Sequence, residues 1–256
     1  MLTTRPRVRS LAVAAVLLAA PSTRCQDAPP ARVPDPKLYL ADLTAGMDVQ
    51  WPRNRTIRIA CHGHSVPAGY FRTPTVDTFN AYPHLLHVAL KLRHPCAVIN
   101  VINTAIGGEN SVQGAARFDE DVLSLRPDLI TIDYGLNDRR VGVERARENL
   151  ASMIDRAKAR SIPVLLLTPT PDQGADLDDP LDPLNQQAAM IRELAAAKGV
   201  GLVDSLQAFR DRVAAGEALV DLMSQSNHPN RRGHDLVVAE LTKWFPEPLR
   251  DDGRQR

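Results

Sequence analysis

The stretch TIRIACHGHSVPAG, residues 56–69, decides the reading of the fold. Its first six residues are a short and mostly apolar run, as expected of a strand covered on both faces. The strand runs directly into Gly63, His64 and Ser65, with a further glycine at Gly69. A serine at such an exit is a turn residue, a helix cap or a nucleophile. Its surroundings must decide between these.

Outward from this stretch the chain alternates regularly. AVINVI (97–102), DLITIDY (128–134), PVLLLTP (163–169) and GVGLVD (199–204) are further strand candidates. Between them lie helical patterns. Residues 81–93 carry Leu85, Leu86, Ala89 and Leu90 at helical spacing, and residues 142–161 carry Val143, Ala146, Leu150, Ile154 and Ala157. Residues 184–199 end on Gly199, a favoured helix stop, and a last helix follows Asn230. Five strands separated by helices predict an α/β fold with a five-stranded parallel sheet between two helical layers. Ligands bind such sheets at the carboxyl ends of the strands, where the strand order reverses.

The polar exceptions fall at those ends. Ser65 follows the first strand, NTAIGGENS (103–111) the second and YGLND (134–138) the third, while NHPNRRGH (227–234) precedes the last helix. Each block alone is an ordinary turn or cap. Together they offer a hydroxyl nucleophile, a glycine N–H, a side-chain amide donor and an imidazole base, the parts that acyl transfer requires.

The order Ser, Gly, Asn, His in the blocks GHS, NTAIGG, GLND and NHPN resembles the SGNH hydrolase superfamily, also called GDSL esterases. The resemblance implies a flavodoxin-like three-layer α/β/α sandwich over residues 56–248 and hydrolysis of carboxylic esters. It implies Ser65 as nucleophile and His228 as general base. The N–H groups of Ser65 and Gly108, with the Asn137 side chain, would form an oxyanion hole. Two positions depart from the family pattern. His64 stands where Asp usually precedes the nucleophile, and Gln225 stands where Asp usually orients the histidine. The third member is therefore open between Gln225, Asp221 and a main-chain carbonyl.

His64, Glu109 and Arg139 are candidates for substrate contact. Against each stands a plainer role: a brace of the turn, a first-turn acid of a helix, and a solvated charge beside Arg140. His62 and His64 lack a third ligand at a useful spacing, so no metal and no cofactor is expected. The acidic segment 168–183 follows the fourth strand and reads as a wall or lid over the site.

Composition bounds the partners. A net charge of +1 and 4% aromatic residues advertise no nucleic-acid surface. Arg5, Arg7 and Arg9 precede about ten apolar residues, too few to span a bilayer. Residues 1–25 thus read as a signal peptide and the protein as exported, periplasmic or extracellular. Arg24 before Cys25 disfavours a lipid anchor, and residues 26–55 read as a Pro-rich linker or approach segment. Cys61 and Cys96 are expected to be buried thiols. The expected substrate is a small-molecule or polysaccharide ester, with a short acyl group such as acetyl on carbohydrate. Lysophospholipase or thioesterase activity, and a binding domain that has lost catalysis, are the alternatives. Oligomeric state is not legible.

Overall fold

The structure, a computed structural model, describes Met1 and residues 32–246. The expected signal peptide beyond Met1, with Cys25, lies outside the described residues. In chain order the elements are α1 (Pro36–Tyr39), α2 (Ala41–Met47), β1 (Thr56–Gly63), α3 (Ser65–Ala68), α4 (Tyr82–Arg93), β2 (Val98–Asn103) and α5 (Ser111–Asp121). Then come β3 (Leu129–Asp133), α6 (Gly135–Asp138), α7 (Val143–Lys158), β4 (Val164–Leu167), α8 (Pro183–Lys198) and β5 (Gly201–Val203). The chain continues through α9 (Ser205–Ala214), β6 (Met223–Gln225), β7 (His228–Pro229) and α10 (Arg231–Thr242).

The five expected strands form one parallel sheet in the order β2-β1-β3-β4-β5. The chain leaves β1 to one side for β2 and returns past it to β3. The reversal therefore lies at the carboxyl end of β1. Alternate side chains build the two cores. Ile57, Ile59 and Cys61 pack with Leu86 and Leu90 of α4 and Val237 and Leu241 of α10. On the other face Ala60, Ile130 and Ile132 pack with Phe118 of α5, Leu150 of α7 and Ile191 of α8. This is the flavodoxin-like α/β/α sandwich.

Three features differ from the sequence reading. Residues 36–47 are helical, and they bury Leu40 and Met47 against the sheet rather than forming only a surface approach. Cys96 is exposed, because it stands in the turn before β2 and not within the strand, whereas Cys61 is buried as expected. Burial pushes the Cys61 thiol up to about 12, which leaves it inert. The hairpin of β6 and β7 has no periodic signal in so few residues.

Gly63 is required by close packing rather than by backbone conformation. It is absent from the positive-φ residues, so the turn does not demand its conformational freedom. A Cβ there would lie 2.5 Å from the Asp133 carbonyl oxygen and 2.7 Å from Pro67 Cγ. Glycine is what lets β1 approach β3 this closely. Gly63→Ala should lose about 1–3 kcal/mol by overpacking. Urea unfolding of the variant checks it, and an unchanged midpoint would contradict the close-approach argument.

Candidate active site

Four separate segments meet at the carboxyl end of β1. Ser65 opens the short helix α3, which Gly69 ends at a φ of 96° with its N–H bonded to the Ser65 and Val66 carbonyls. Gly107 and Gly108 come from the loop after β2, Asn137 from α6 after β3, and His228 from β7. All of them, with Ser65, line one cavity of ≈ 450 Å³.

The central contact is between Ser65 and His228. The imidazole Nε2 lies 2.9 Å from Ser65 Oγ. Both side chains are almost wholly buried. The other ring nitrogen, Nδ1, lies 2.9 Å from the main-chain oxygen of Phe71. A carbonyl only accepts, so Nδ1 carries the hydrogen and Nε2 is left with a lone pair toward Ser65. Burial holds the His228 pKa below its ordinary value; the Phe71 carbonyl opposes that shift and His64 adds to it.

Neither side chain considered as the histidine's partner reaches it. Gln225 accepts from the Thr73 N–H through Oε1 at 3.0 Å and donates from Nε2 to Asn227 Oδ1 at 3.0 Å. Asp221 is exposed, and its carbonyl accepts from Asn230 Nδ2 at 2.9 Å. The partner is the third candidate, a main-chain carbonyl, supplied by the segment between α3 and α4.

The donor side is fixed by one hydrogen bond. Asn137 Nδ2 donates to the Glu109 carbonyl at 2.7 Å, which ties α6 to the glycine loop. An amide NH₂ has two hydrogens, so one remains for a ligand. Gly108 has a φ of 83° and no atom within 4 Å of where a Cβ would stand. Its glycine is required by backbone conformation, and the space beside it is open to a substrate. Gly107 is required by contact instead, since a Cβ would meet the Tyr70 ring at 2.6 Å.

Three expected substrate contacts are absent from the cavity lining. His64 is fully buried and caps α3: its Nδ1 accepts from the Val66 N–H at 3.3 Å, and its Nε2 faces Asp133 Oδ1 at 3.4 Å. It also lies 3.4 Å from Ser65 Oγ, on the protein side. Glu109 is held by Arg117, with contacts of 2.7 and 2.9 Å to Oε2 and 3.1 Å to Oε1. Tyr134 joins this cluster and bonds His62 Nε2 at 3.1 Å. Burial, helped by Arg117, lowers the His62 pKa to about 4. Arg139 is bound to Asp172 Oδ2 at 2.9 Å and to the Leu136 carbonyl at 2.8 Å. Its neighbour Arg140 lines the cavity instead. In each case a partner within the protein claims the side chain.

The acidic segment after β4, expected as a wall or lid, does not line the cavity but supports it from behind the lining residues. The Gln173 N–H donates to the Ser226 carbonyl at 2.7 Å, which braces the loop carrying His228. Among the described residues no group of three His, Cys, Asp or Glu side chains gathers to hold a metal, and no helix is long and apolar enough to cross a membrane.

Residues 61–236 match the family model of the GDSL-like lipase/acylhydrolases. The chain is 25% identical over 166 residues to an acetylxylan esterase of Geobacillus stearothermophilus, covering 60% of this chain and 75% of that protein. It is 39% identical over 69 residues to esterase TesA of Pseudomonas aeruginosa, covering 26% of this chain and 34% of that one. The crystal structure of Axe2, an acetylxylan esterase from Geobacillus stearothermophilus, superposes with a TM-score of 0.65 at 21% identity, over 74% of this chain and 94% of that chain. The chain thus belongs to the GDSL-like lipase/acylhydrolase family, within the SGNH hydrolases, and is a carboxylic ester hydrolase.

Proposed function

We propose that this ester hydrolase uses Ser65 as nucleophile and His228 as general base, and that it removes short acyl groups such as acetyl from carbohydrate. The observation that carries the reading is the 2.9 Å contact between His228 Nε2 and Ser65 Oγ, with Nδ1 already committed to Phe71. As Ser65 attacks the ester carbonyl, its proton passes to Nε2. The negative charge on the carbonyl oxygen is met by the N–H groups of Ser65 and Gly108 and by Asn137 Nδ2, each donor worth about 3 kcal/mol. His228 then returns the proton to the departing alcohol. Water repeats the sequence to release the acid and restore Ser65.

The cavity favours a small acyl group. Besides glycines it is lined by hydroxyls, amides, Arg140, His228 and Tyr70, and no Leu, Ile, Val, Met or Phe faces it. A fatty chain would find no apolar surface to cover it, which argues against the lysophospholipase and thioesterase alternatives. The basic, then apolar, start of the chain supports export, where polymeric carbohydrate is met.

Steady-state kinetics on 4-nitrophenyl acetate and octanoate test this reading. The acetate should be hydrolysed with a kcat/KM at least tenfold higher. His228→Ala should lose about a hundredfold to ten-thousandfold on the acetate. Ser65→Ala should lose at least as much, and the double variant no more than the worse single one. Turnover that survives Ser65→Ala would remove the assignment.

The pH profile follows from the His228 environment. The base works only when neutral, so kcat/KM rises with pH through its pKa. Because burial holds that pKa below 6.5, the midpoint of the acid limb should fall below pH 6.5. A limb centred above that value would mean that the imidazolium is stabilised by an unrecognised charge.

His64→Asp would restore the usual family residue, yet here it sets a second carboxylate against buried Asp133. Two carboxylates sharing a buried site raise the pKa of one of them. A raised folded-state pKa gives stability at low pH that is lost as pH rises through it. His64→Asp should therefore lose about 3 kcal/mol at pH 7 and recover toward pH 4, and adding Asp133→Asn should restore part of the loss at pH 7. Thermal unfolding at both pH values decides this.

A further inference from the structure

Arg140 stands apart in the cavity beside Ser65. It is the charged residue of the lining, and no Asp or Glu accompanies it. Its backbone is anchored, the N–H donating to the Asn137 carbonyl at 3.3 Å. Its guanidinium makes no hydrogen bond or ion pair among the described residues. The contrast with its neighbour is direct, since Arg139 is bound to Asp172 and to the Leu136 carbonyl.

The acidic loop nearby does not neutralise it. Asp172 serves Arg139 and the Gly174 N–H. Asp176 Oδ1 accepts from the N–H groups of Asp178 and Asp179. Asp182 caps α8 through Leu184 N and receives the Asp176 N–H. These carboxylates hold their own loop in shape. The position that orients His228 also carries no carboxylate, since the Phe71 carbonyl fills it. When His228 takes up a proton, the lining carries two positive charges and no negative one.

A neutral sugar is usually gripped by aromatic faces, and only Tyr70 supplies one in this lining. Asn110, Asn227 and Gln225 offer amides to hydroxyl groups, while a guanidinium offers paired donors matched to a carboxylate or sulfate.

We propose that Arg140 binds an anionic group on the alcohol side of the ester, so that the substrates are O-acylated acidic sugars carrying a carboxylate or a sulfate. In the proposed reading the acyl group is short and uncharged, so the anion belongs to the alcohol. The inference rests on the Ser65 reading and adds the substrate class to it.

The test uses the purified full chain and three monoacetylated methyl glycosides acetylated at the same hydroxyl: a glucoside, a glucuronoside and a sulfated glucoside. At low salt kcat/KM should favour one or both anionic sugars by about tenfold, mainly through KM. The preference should shrink in 0.5 M sodium chloride, as an ionic contact to an exposed arginine requires. It should fall toward one in Arg140→Gln and be partly kept in Arg140→Lys. The carboxylate and sulfate arms identify which anion is read. Equal rates on all three sugars, or a preference that survives Arg140→Gln, overturn the assignment of Arg140 while Ser65 stands. Hydrolysis that survives Ser65→Ala overturns both.

Discussion

The strand β1 has a neighbour on each side and packed helices on each face, so it is buried from Ile59 to Gly63 and the residues that leave its carboxyl end are held in place. The rest of the site follows from that confinement. Backbone hydrogen bonding and apolar burial fix β1 between β2 and β3, and the loops leaving all three emerge together. Gly63 tightens the arrangement by letting β1 close on the Asp133 carbonyl. Ser65, the glycine loop and Asn137 are thereby held on rigid ends of strands rather than on free loops, as the proposed oxyanion donors require.

Behind the site runs a closed circuit of contacts. Asp133 accepts from the Tyr82 hydroxyl at 3.3 Å, and the Tyr82 N–H donates to His234 Nδ1 at 3.2 Å. The His234 ring stacks on Phe71 with centroids 5.3 Å apart. The Phe71 carbonyl holds His228, which meets Ser65, and His64 returns from Ser65 to Asp133. Burial takes the His234 pKa down to about 3, with His228 adding to the effect, so His234 stays neutral and acts as packing rather than as a charge. The peptide that orients His228 is thus clamped by a ring stack, and a main-chain group can do there what a side chain does elsewhere.

Sequence was enough for the strands because each is a short apolar run at a regular interval; it put Ser65, Gly108 and Asn137 after such runs and His228 before the last helix, and the structure brings these four to one cavity. The Phe71 carbonyl had no such signature. Every residue has a carbonyl, and Phe71 is 157 positions from His228. His64, Glu109 and Arg139 were drawn toward substrate for a related reason. Their chemistry is visible in one dimension, but Asp133, Arg117 and Asp172, which claim them, are found only when the chain folds. Arg140 shows the converse: it lines the cavity because nothing nearby engages it.

The departure at Gln225 has a physical resolution in the same geometry. An amide beside a catalytic imidazole can donate a hydrogen to Nδ1 and trap the wrong tautomer, which costs about ten-thousandfold where it happens. Here the Gln225 oxygen is engaged by the Thr73 N–H, and its NH₂ donates to Asn227. Its amide is turned away from the ring, and the acceptor in its place has no hydrogen to offer. The proposed base therefore keeps the tautomer that acyl transfer needs. What the substitution removes is a negative charge to steady the imidazolium, and a carbonyl dipole supplies only part of that. The base becomes weaker, but it remains neutral, and so competent, at lower pH than a carboxylate-backed histidine would.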